Sequence, residues 1–586
     1  MLILFIFNLL LSSAISSKQD ISILFSRLTA TVFFYAFLLG YNCIYFLSAE
    51  KGISLLGGLF HITCLSAIFN IFILILSFIL VTLTSYYGRK VWKVTNNTIK
   101  DVIFNRNKPL YNINDIYKVI NKNSNPYKIV EYALIMVFII TGAILLMTTN
   151  DLVSIFLAIE LQSYGLYLIC CLWRNSEKAV SAGLTYFLLG ALSSCLILLG
   201  TVLLYVFSGT NNVDILYSLT NIFTTCDFDN SAENLQLSSN NLNVAFTLIS
   251  VGFLFKISAS PFHFWAPDVY DKIPTIVTAF VAIVAKISIL VFLFNLVHYE
   301  NVITQFNSNN SWTVCLLMSC LLSLICGTLL GLKETRIKRL LAFSTVSHLG
   351  FILLAICVNS LQSIQAFIFY LIQYSISNIN VFFIIIMIGY SLYYHVYDKK
   401  EDFNIKDRNN SPIQLLTELK GYFLINPVIS LAFTITIFSF VGVPPLLGFF
   451  AKQMVLLSAL NSGYIFLSLV AILTSVLGAV YYLGIIKYIF FDNVKFSFTV
   501  SLKDLIEKCI TKTKSDNTAD KNTKLYQDML QKTQHSQGLF KLKHVTISSS
   551  LTLVTSVLTL IILLFMFSAN ESLNLSNIVS LMLFNH

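Results

Sequence analysis

Long apolar runs recur along almost the whole chain, most of them at or above the roughly 20 residues that cross a bilayer as a helix. They predict fourteen spans, at residues 2–16, 22–47, 60–86, 128–148, 152–172, 179–207, 242–262, 274–298, 312–332, 338–358, 361–396, 425–458, 460–490 and 547–568. The runs are continuous rather than alternating, which selects helices over barrel strands. The expected fold class is all-α: a polytopic membrane protein of about fourteen transmembrane helices. Residues 1–16 read as a short first span, since the stretch has no basic segment of the kind that opens a secretory leader.

The charges test this count. Of 38 Lys and Arg, 34 fall in the odd-numbered loops and the helix ends beside them, and a single one, Lys51, falls in an even loop. A miscounted span would move every later loop to the other side and scramble this segregation. By the positive-inside rule the odd loops face the cytoplasm or its mitochondrial equivalent, the matrix, and both termini lie opposite. The chain then divides into N-terminal spans over 1–90, a polar loop at 91–127, a first five-span unit at 128–298, a second at 312–490, a basic insertion at 491–546, and a C-terminal helix and tail at 547–586. The loops 87–127 and 491–546 are expected to be solvated or to dock partners; loop 208–241 carries Asp214, Asp227, Asp229 and Glu233 without a basic residue.

Composition narrows the function classes. Hydrophobic residues make up 56% of the 586 and charged ones 11%, too apolar for a soluble protein. The net charge of +10 does not signal nucleic acid, because the basic residues sit between spans. Eleven cysteines show no metal-ligand spacing, and Cys170 and Cys171 are neighbours inside an apolar run. No dinucleotide or phosphate-binding glycine motif appears. No catalytic, cofactor-binding or metal-ligating residue is therefore expected in this chain.

What remains are ionisable residues where lipid should forbid them. Glu160 lies near the middle of span five, Lys256 in span seven, Lys286 in the middle of span eight and Lys452 in span twelve, with His348 a further candidate in span ten. His263 is placed at the membrane edge beside Trp265. Prolines interrupt two of these spans: Pro261 in span seven, Pro444 and Pro445 in span twelve. A proline removes a backbone donor, which a membrane helix tolerates where protein or internal water satisfies the freed groups. If spans 4–8 and 9–13 are two five-helix units, each break falls in the fourth helix of its unit. An odd number of spans turns the second unit upside down. Inverted repeats with discontinuous helices in matching positions mark ion pathways in many transporters.

Several segments resemble one family: Phe156-Leu-Ala-Ile-Glu160-Leu-Gln-Ser163, Ala182-Gly-Leu-Thr185 through Gly190, Phe255-Lys256 with Pro261-Phe-His263-Phe-Trp265-Ala-Pro267-Asp268-Val-Tyr270, Thr335-Arg-Ile-Lys338 through Ser344, and Gly442-Val-Pro-Pro-Leu-Leu-Gly448-Phe-Phe-Ala-Lys452. They are similar to the antiporter-like membrane subunits of respiratory complex I (NADH:ubiquinone oxidoreductase), over about residues 52–491 and in the family's order. Glu-Leu-Gln-Ser and a lysine in span twelve favour the subunit 2 type. Thr185 stands where the family often has lysine.

The resemblance implies proton translocation with Glu160 and Lys256 as a charge pair, Lys286 as central relay and Lys452 as terminal proton site. It also implies neighbouring membrane-arm subunits as partners beside lipid, and NADH, FMN, iron–sulfur clusters and ubiquinone bound in other subunits. The chain would then sit in the mitochondrial inner membrane, with its termini toward the intermembrane space. Its abundance of Phe, Tyr, Ile, Asn and Lys fits an A/T-rich organellar gene. Two rivals stand beside this reading: a subunit of a multi-subunit cation/proton antiporter, and a non-conducting assembly subunit.

Overall fold

A computed structural model describes residues 1–15, 22–46, 52–85, 91–92, 131–173, 176–216, 218–219, 233–303, 311–392, 395–396, 413–492, 497–498, 545–546 and 549–584. The described residues are overwhelmingly helical. The helices are α1 (Leu2–Ile15), α2 (Ser22–Phe46), α3 (Cys64–Ser85), α4 (Glu131–Thr148), α5 (Leu152–Cys171), α6 (Glu177–Ser208), α7 (Glu233–Ile257), α8 (Trp265–Lys272), α9 (Thr275–Ile303), α10 (Ser311–Gly331), α11 (Ile337–Val358), α12 (Leu361–Leu392), α13 (Pro427–Val441), α14 (Leu447–Asn461), α15 (Ile465–Phe490) and α16 (Ser549–Phe584). Among the described residues, 11 helices are long and apolar enough to cross a membrane. Shorter apolar helices cover Leu2–Ala14, Leu242–Ile257, Pro427–Val441 and Leu447–Asn461.

Local chemistry sets the helix ends. Asp151 accepts a hydrogen bond from the Ser154 amide ahead of α5, and Asn426 accepts one from Ile429 with Pro427 in the first turn of α13. Gly209 and Gly442 close α6 and α13 in the left-handed conformation that a side chain disfavours. Inside the helices, serine and threonine hydroxyls donate back to carbonyls three or four residues earlier, as Ser193 does to Gly190 and Thr345 to Ala342, so they cost little in an apolar setting.

The centre of the bundle is α9, α11 and α12, buried on nearly every side. Small residues let neighbours approach closely: a Cβ on Gly327 of α10 would meet the Ser347 amide of α11 at 2.6 Å. At the periphery α6, α15 and α16 present large apolar side chains outward, Leu188, Val476 and Phe567 among them, as a lipid-facing or partner-facing surface requires.

Several predicted boundaries move. The run 60–86 becomes helical at Cys64, because Phe60–Ile62 pairs as an antiparallel strand with Ile53–Leu55 around Gly57 and Gly58, both at positive φ. The predicted span 361–396 ends at Leu392, and His395–Val396 pairs instead with Ser497–Phe498. The last helix runs to Phe584 rather than 568. Its polar stretch does not end it, since Ser572, Ser576 and Ser580 bond back to their own helix, and Ser576 and Ser580 turn inward. At 36 residues it is about 54 Å long, so in a hydrocarbon layer of about 30 Å it either tilts or extends beyond the layer. Of the two basic insertions, Val91–Trp92 and Val545–Thr546 are described and pair with each other; the remainder lies almost entirely outside the described residues. Asp227 and Asp229 also lie outside them, whereas Asp214 accepts a hydrogen bond from Asn150.

Candidate functional site

Both proline-bearing spans are interrupted where the sequence placed the breaks. The first helix, α7, stops at Ile257, where Ser258 adopts φ 68° and the chain turns through Ser260 and Pro261 before α8. At the turn the Phe255 carbonyl accepts from the Ser258 amide at 3.1 Å and also from the Trp265 indole at 2.9 Å. In the second break α13 ends at Gly442, φ 86°, and Pro444 and Pro445 lie in the turn before α14. Here the donor is Lys452, whose Nζ reaches the carbonyls of Phe440 at 2.9 Å and Val441 at 3.0 Å. Two glycines make this possible. A Cβ on Gly442 would lie 3.2 Å from the Lys452 Cδ, and one on Gly448 would lie 1.8 Å from the Ser439 carbonyl oxygen.

The buried charges are arranged around these breaks. Lys256, in the last turn of α7, stands with its Nζ 3.8 Å from Glu160 Oε1 on α5, the two side chains 4% and 12% exposed. It donates to the Tyr167 hydroxyl at 3.1 Å. That hydroxyl fits against α6 because residue 190 is glycine; a Cβ there would lie 1.8 Å from it. Lys286, on α9 and 1% exposed, donates to Ser258 Oγ in the first break at 3.0 Å and to Thr345 Oγ1 of α11 at 3.2 Å. Its ammonium also lies 5.6 Å from the Tyr270 ring centroid. Among the described residues no carboxylate forms an ion pair with it.

One turn beyond Thr345 on α11 is His348. Its Nδ1 lies 2.8 Å from the Tyr370 hydroxyl and its Nε2 3.4 Å from that of Tyr482. The imidazole packs 5.2 Å from the ring of Phe440, whose carbonyl accepts from Lys452. Glu160, Lys256, Lys286, His348 and Lys452 thus follow one another through shared neighbours: the first pair directly, the next step across Ser258, then along α11, then across Phe440. This line runs from α5 and α7 through α9 and α11 to α14.

The sequence reading missed the hydroxyls that hold these groups. Tyr167, Ser258, Thr345, Tyr370 and Tyr482 are ordinary residues in apolar helices, and only the fold reveals that they converge. It also counted Lys338, the first residue of span ten, with the basic residues of the neighbouring loop. The structure buries Lys338 to 2% exposure in the first turn of α11, its Nζ donating to the Ile273 carbonyl at 2.6 Å. Beside it, Arg336 pairs with Asp271 and Arg339 with Asp268, fastening α8 to α11. His263 is 3% exposed within the first break, its ring against Phe264 and Phe343. Thr185 is exposed on α6 and bonds only to the Ala182 carbonyl. Among the described residues, no three His, Cys, Asp or Glu side chains gather as metal ligands would.

Comparison with known proteins gives the same neighbourhood. Residues 149–478 match the family described as NADH:quinone oxidoreductase/Mrp antiporter, transmembrane region. The chain is 40% identical over 580 residues to NADH-ubiquinone oxidoreductase chain 2 of Rhizopus oryzae, covering 99% of each. It is 34% identical over 372 residues to NADH-quinone oxidoreductase subunit N of Pelagibacter ubique, covering 63% of this chain and 71% of that one. In fold it is similar to a chain of respiratory complex I from Thermus thermophilus, solved with bound aureothin, with a TM-score of 0.60 and 24% identity over 85% of this chain and 90% of that one.

Proposed function

The chain belongs to the NADH:quinone oxidoreductase/Mrp antiporter transmembrane family, and from that premise we propose that it is a proton-translocating membrane-arm subunit of respiratory complex I. NADH oxidation and quinone reduction take place in other subunits, which carry the FMN, the iron–sulfur clusters and the quinone. This chain lies in the inner membrane beside other membrane-arm subunits and lipid, and moves protons.

The shorter apolar helices complete the topology. Leu2–Ala14 and Leu242–Ile257 each make one crossing, and Pro427–Val441 with Leu447–Asn461 make another in two pieces, which gives fourteen crossings in all. Helices α4 to α9 and α10 to α15 then form two inverted five-crossing units. Supporting this, each unit interrupts its fourth crossing, and each break has a side-chain donor on a carbonyl at its edge. With the basic loops in the matrix, both termini face the intermembrane space.

The observation that carries the mechanism is the Glu160–Lys256 pair beside the first break. At an effective dielectric of about 20, opposite unit charges attract by about 4 kcal/mol at 4 Å and about 2 kcal/mol at 7 Å. A carboxylate that moves a few ångströms therefore changes a neighbouring ammonium's hold on its proton by more than tenfold. Glu160 moving against Lys256, driven by quinone chemistry elsewhere in the complex, switches Lys256 between holding and releasing. Protons pass on through Lys286, with His348 between it and the terminal Lys452. In the intact enzyme, Glu160→Gln and Lys256→Ala should lower the protons pumped per electron; an unchanged ratio in both variants would reject the switch. The rival antiporter reading predicts sodium-dependent transport without NADH oxidation, and full-length similarity to a complex I chain favours the first.

A further inference from the structure

One line of polar side chains on α12 has no part in the charge pathway described above. At about 100° per residue, Gln362, Gln373, Ser377, Asn380 and Ser391 fall on one stripe of that helix. Both ends of the stripe touch the interrupted helix. Gln362 Oε1 accepts from Asn461 Nδ2 on α14 at 2.7 Å, and Ser391 Oγ lies 2.6 Å from the Tyr422 hydroxyl, just ahead of α13. The middle of the stripe therefore faces α13 and α14, against which α12 packs.

Pairing fails in that middle. Asn380 is fully buried, and neither its Oδ1 nor its Nδ2 has a partner among the described residues. Gln373, 1% exposed, has only a 3.4 Å contact from its Nε2 to Ser377 Oγ, and its Oε1 is unpaired. On α13, which packs on α12, Ser439 Oγ beside Gly448 is likewise buried and unpaired, and the next residue, Phe440, carries the carbonyl that accepts from Lys452. Elsewhere on α12, Asn378 satisfies its Nδ2 on the Tyr374 carbonyl at 2.8 Å. Amides and hydroxyls buried without protein partners are the groups that bind interior water, and a dry membrane interior penalises them heavily.

Depth fixes the direction. Lys452 lies 5.5 Å from the Phe351 ring centroid, and Phe351 stacks on Tyr370, so Tyr370 marks its level on α12. Gln373 is about 4.5 Å and Asn380 about 15 Å further along the helix, toward the end that carries Ser391. In the topology proposed above, that end is the matrix end.

We infer that Gln373, Ser377, Asn380 and Ser439 form a water-binding slot between α12 and α13, giving Lys452 a hydrated connection to the matrix within the second unit. This rests on the reading of Lys452 as a proton site. The amides titrate nothing; they orient water, and each water passes on one proton as it takes up another, so no charge is left behind. Lys452 is then reached from the matrix directly as well as through Lys286.

Two measurements on the intact enzyme test the slot. A high-resolution map should show water within hydrogen-bonding distance of the Asn380 amide and of Gln373 Oε1; a dry Asn380, or one paired to another subunit, overturns the proposal without touching the role of Lys452. In reconstituted vesicles, Asn380→Leu should cause a loss of protons pumped per NADH oxidised, and Asn380→Ser, which keeps a water partner, should restore it. If Lys452→Met abolishes part of the pumping and Asn380→Leu none, the matrix connection is wrong. If neither variant alters the ratio, the proton-site reading itself fails, and the slot with it.

Discussion

Lys286 shows how far the protein goes to keep a charge inside a membrane. Its ammonium has two hydroxyl acceptors, from Ser258 and Thr345, and an aromatic face from Tyr270, but no carboxylate among the described residues. Lys256, by contrast, has both a carboxylate and a hydroxyl. Removing one member of a buried ion pair typically costs about 3–5 kcal/mol, because the other is left uncompensated. Lys256→Met alone should therefore lower assembly of the complex more than Lys256→Met combined with Glu160→Gln, as read by native gels; equal assembly would mean the pair contributes nothing to folding. Gly190 belongs to the same site although it carries no function itself. Gly190→Ala drives a methyl group into the Tyr167 hydroxyl and should reduce pumping as strongly as Tyr167→Phe, a comparison that a remote packing role for Gly190 would not reproduce.

At the scale of elements, the two breaks were legible in the sequence because proline has only one structural reading inside an apolar run. The buried Glu and Lys were legible too, since lipid makes any charge conspicuous. Serine, threonine and tyrosine were not, because they occur throughout membrane helices, serine and threonine commonly bonding to their own backbone. The burial of Lys338 was not legible for a related reason: it sits in the first turn of α11 beside loop charges, and only the packing of α8 against α11 buries it. The helix starting at Cys64 and the extension to Phe584 were missed where the apolar pattern ignores a glycine turn or overweights a polar patch. The close approach of α13 and α14 gives an element-scale prediction. Gly448→Ala places a Cβ against the Ser439 carbonyl, so the halves of the broken helix must separate. The account expects a loss of assembled complex well beyond that of alanine at Gly484, which has open space around it; equal tolerance of the two would contradict the observed packing.

For the molecule as a whole, the segregation of 34 basic residues to the odd loops and one to the even loops gives the proposed orientation a direct test. Accessibility labelling should find a tag after residue 586 exposed from the intermembrane space, and a tag within 491–546 exposed only after the inner membrane is opened. The apolar outer faces of α6, α15 and α16 then meet lipid or neighbouring subunits, while the buried charges lie between α5 and α14. Lys286 joins the first break, through Ser258, to α11, through Thr345. The most direct measurement is the number of protons pumped per NADH oxidised by the intact enzyme carrying Lys286→Met, reconstituted in sealed vesicles. The account predicts a lower ratio with Lys286→Met and recovery with Lys286→Arg only insofar as arginine releases its proton, which it does not, so both variants should be impaired. A ratio equal to the unaltered enzyme's in Lys286→Met would contradict it.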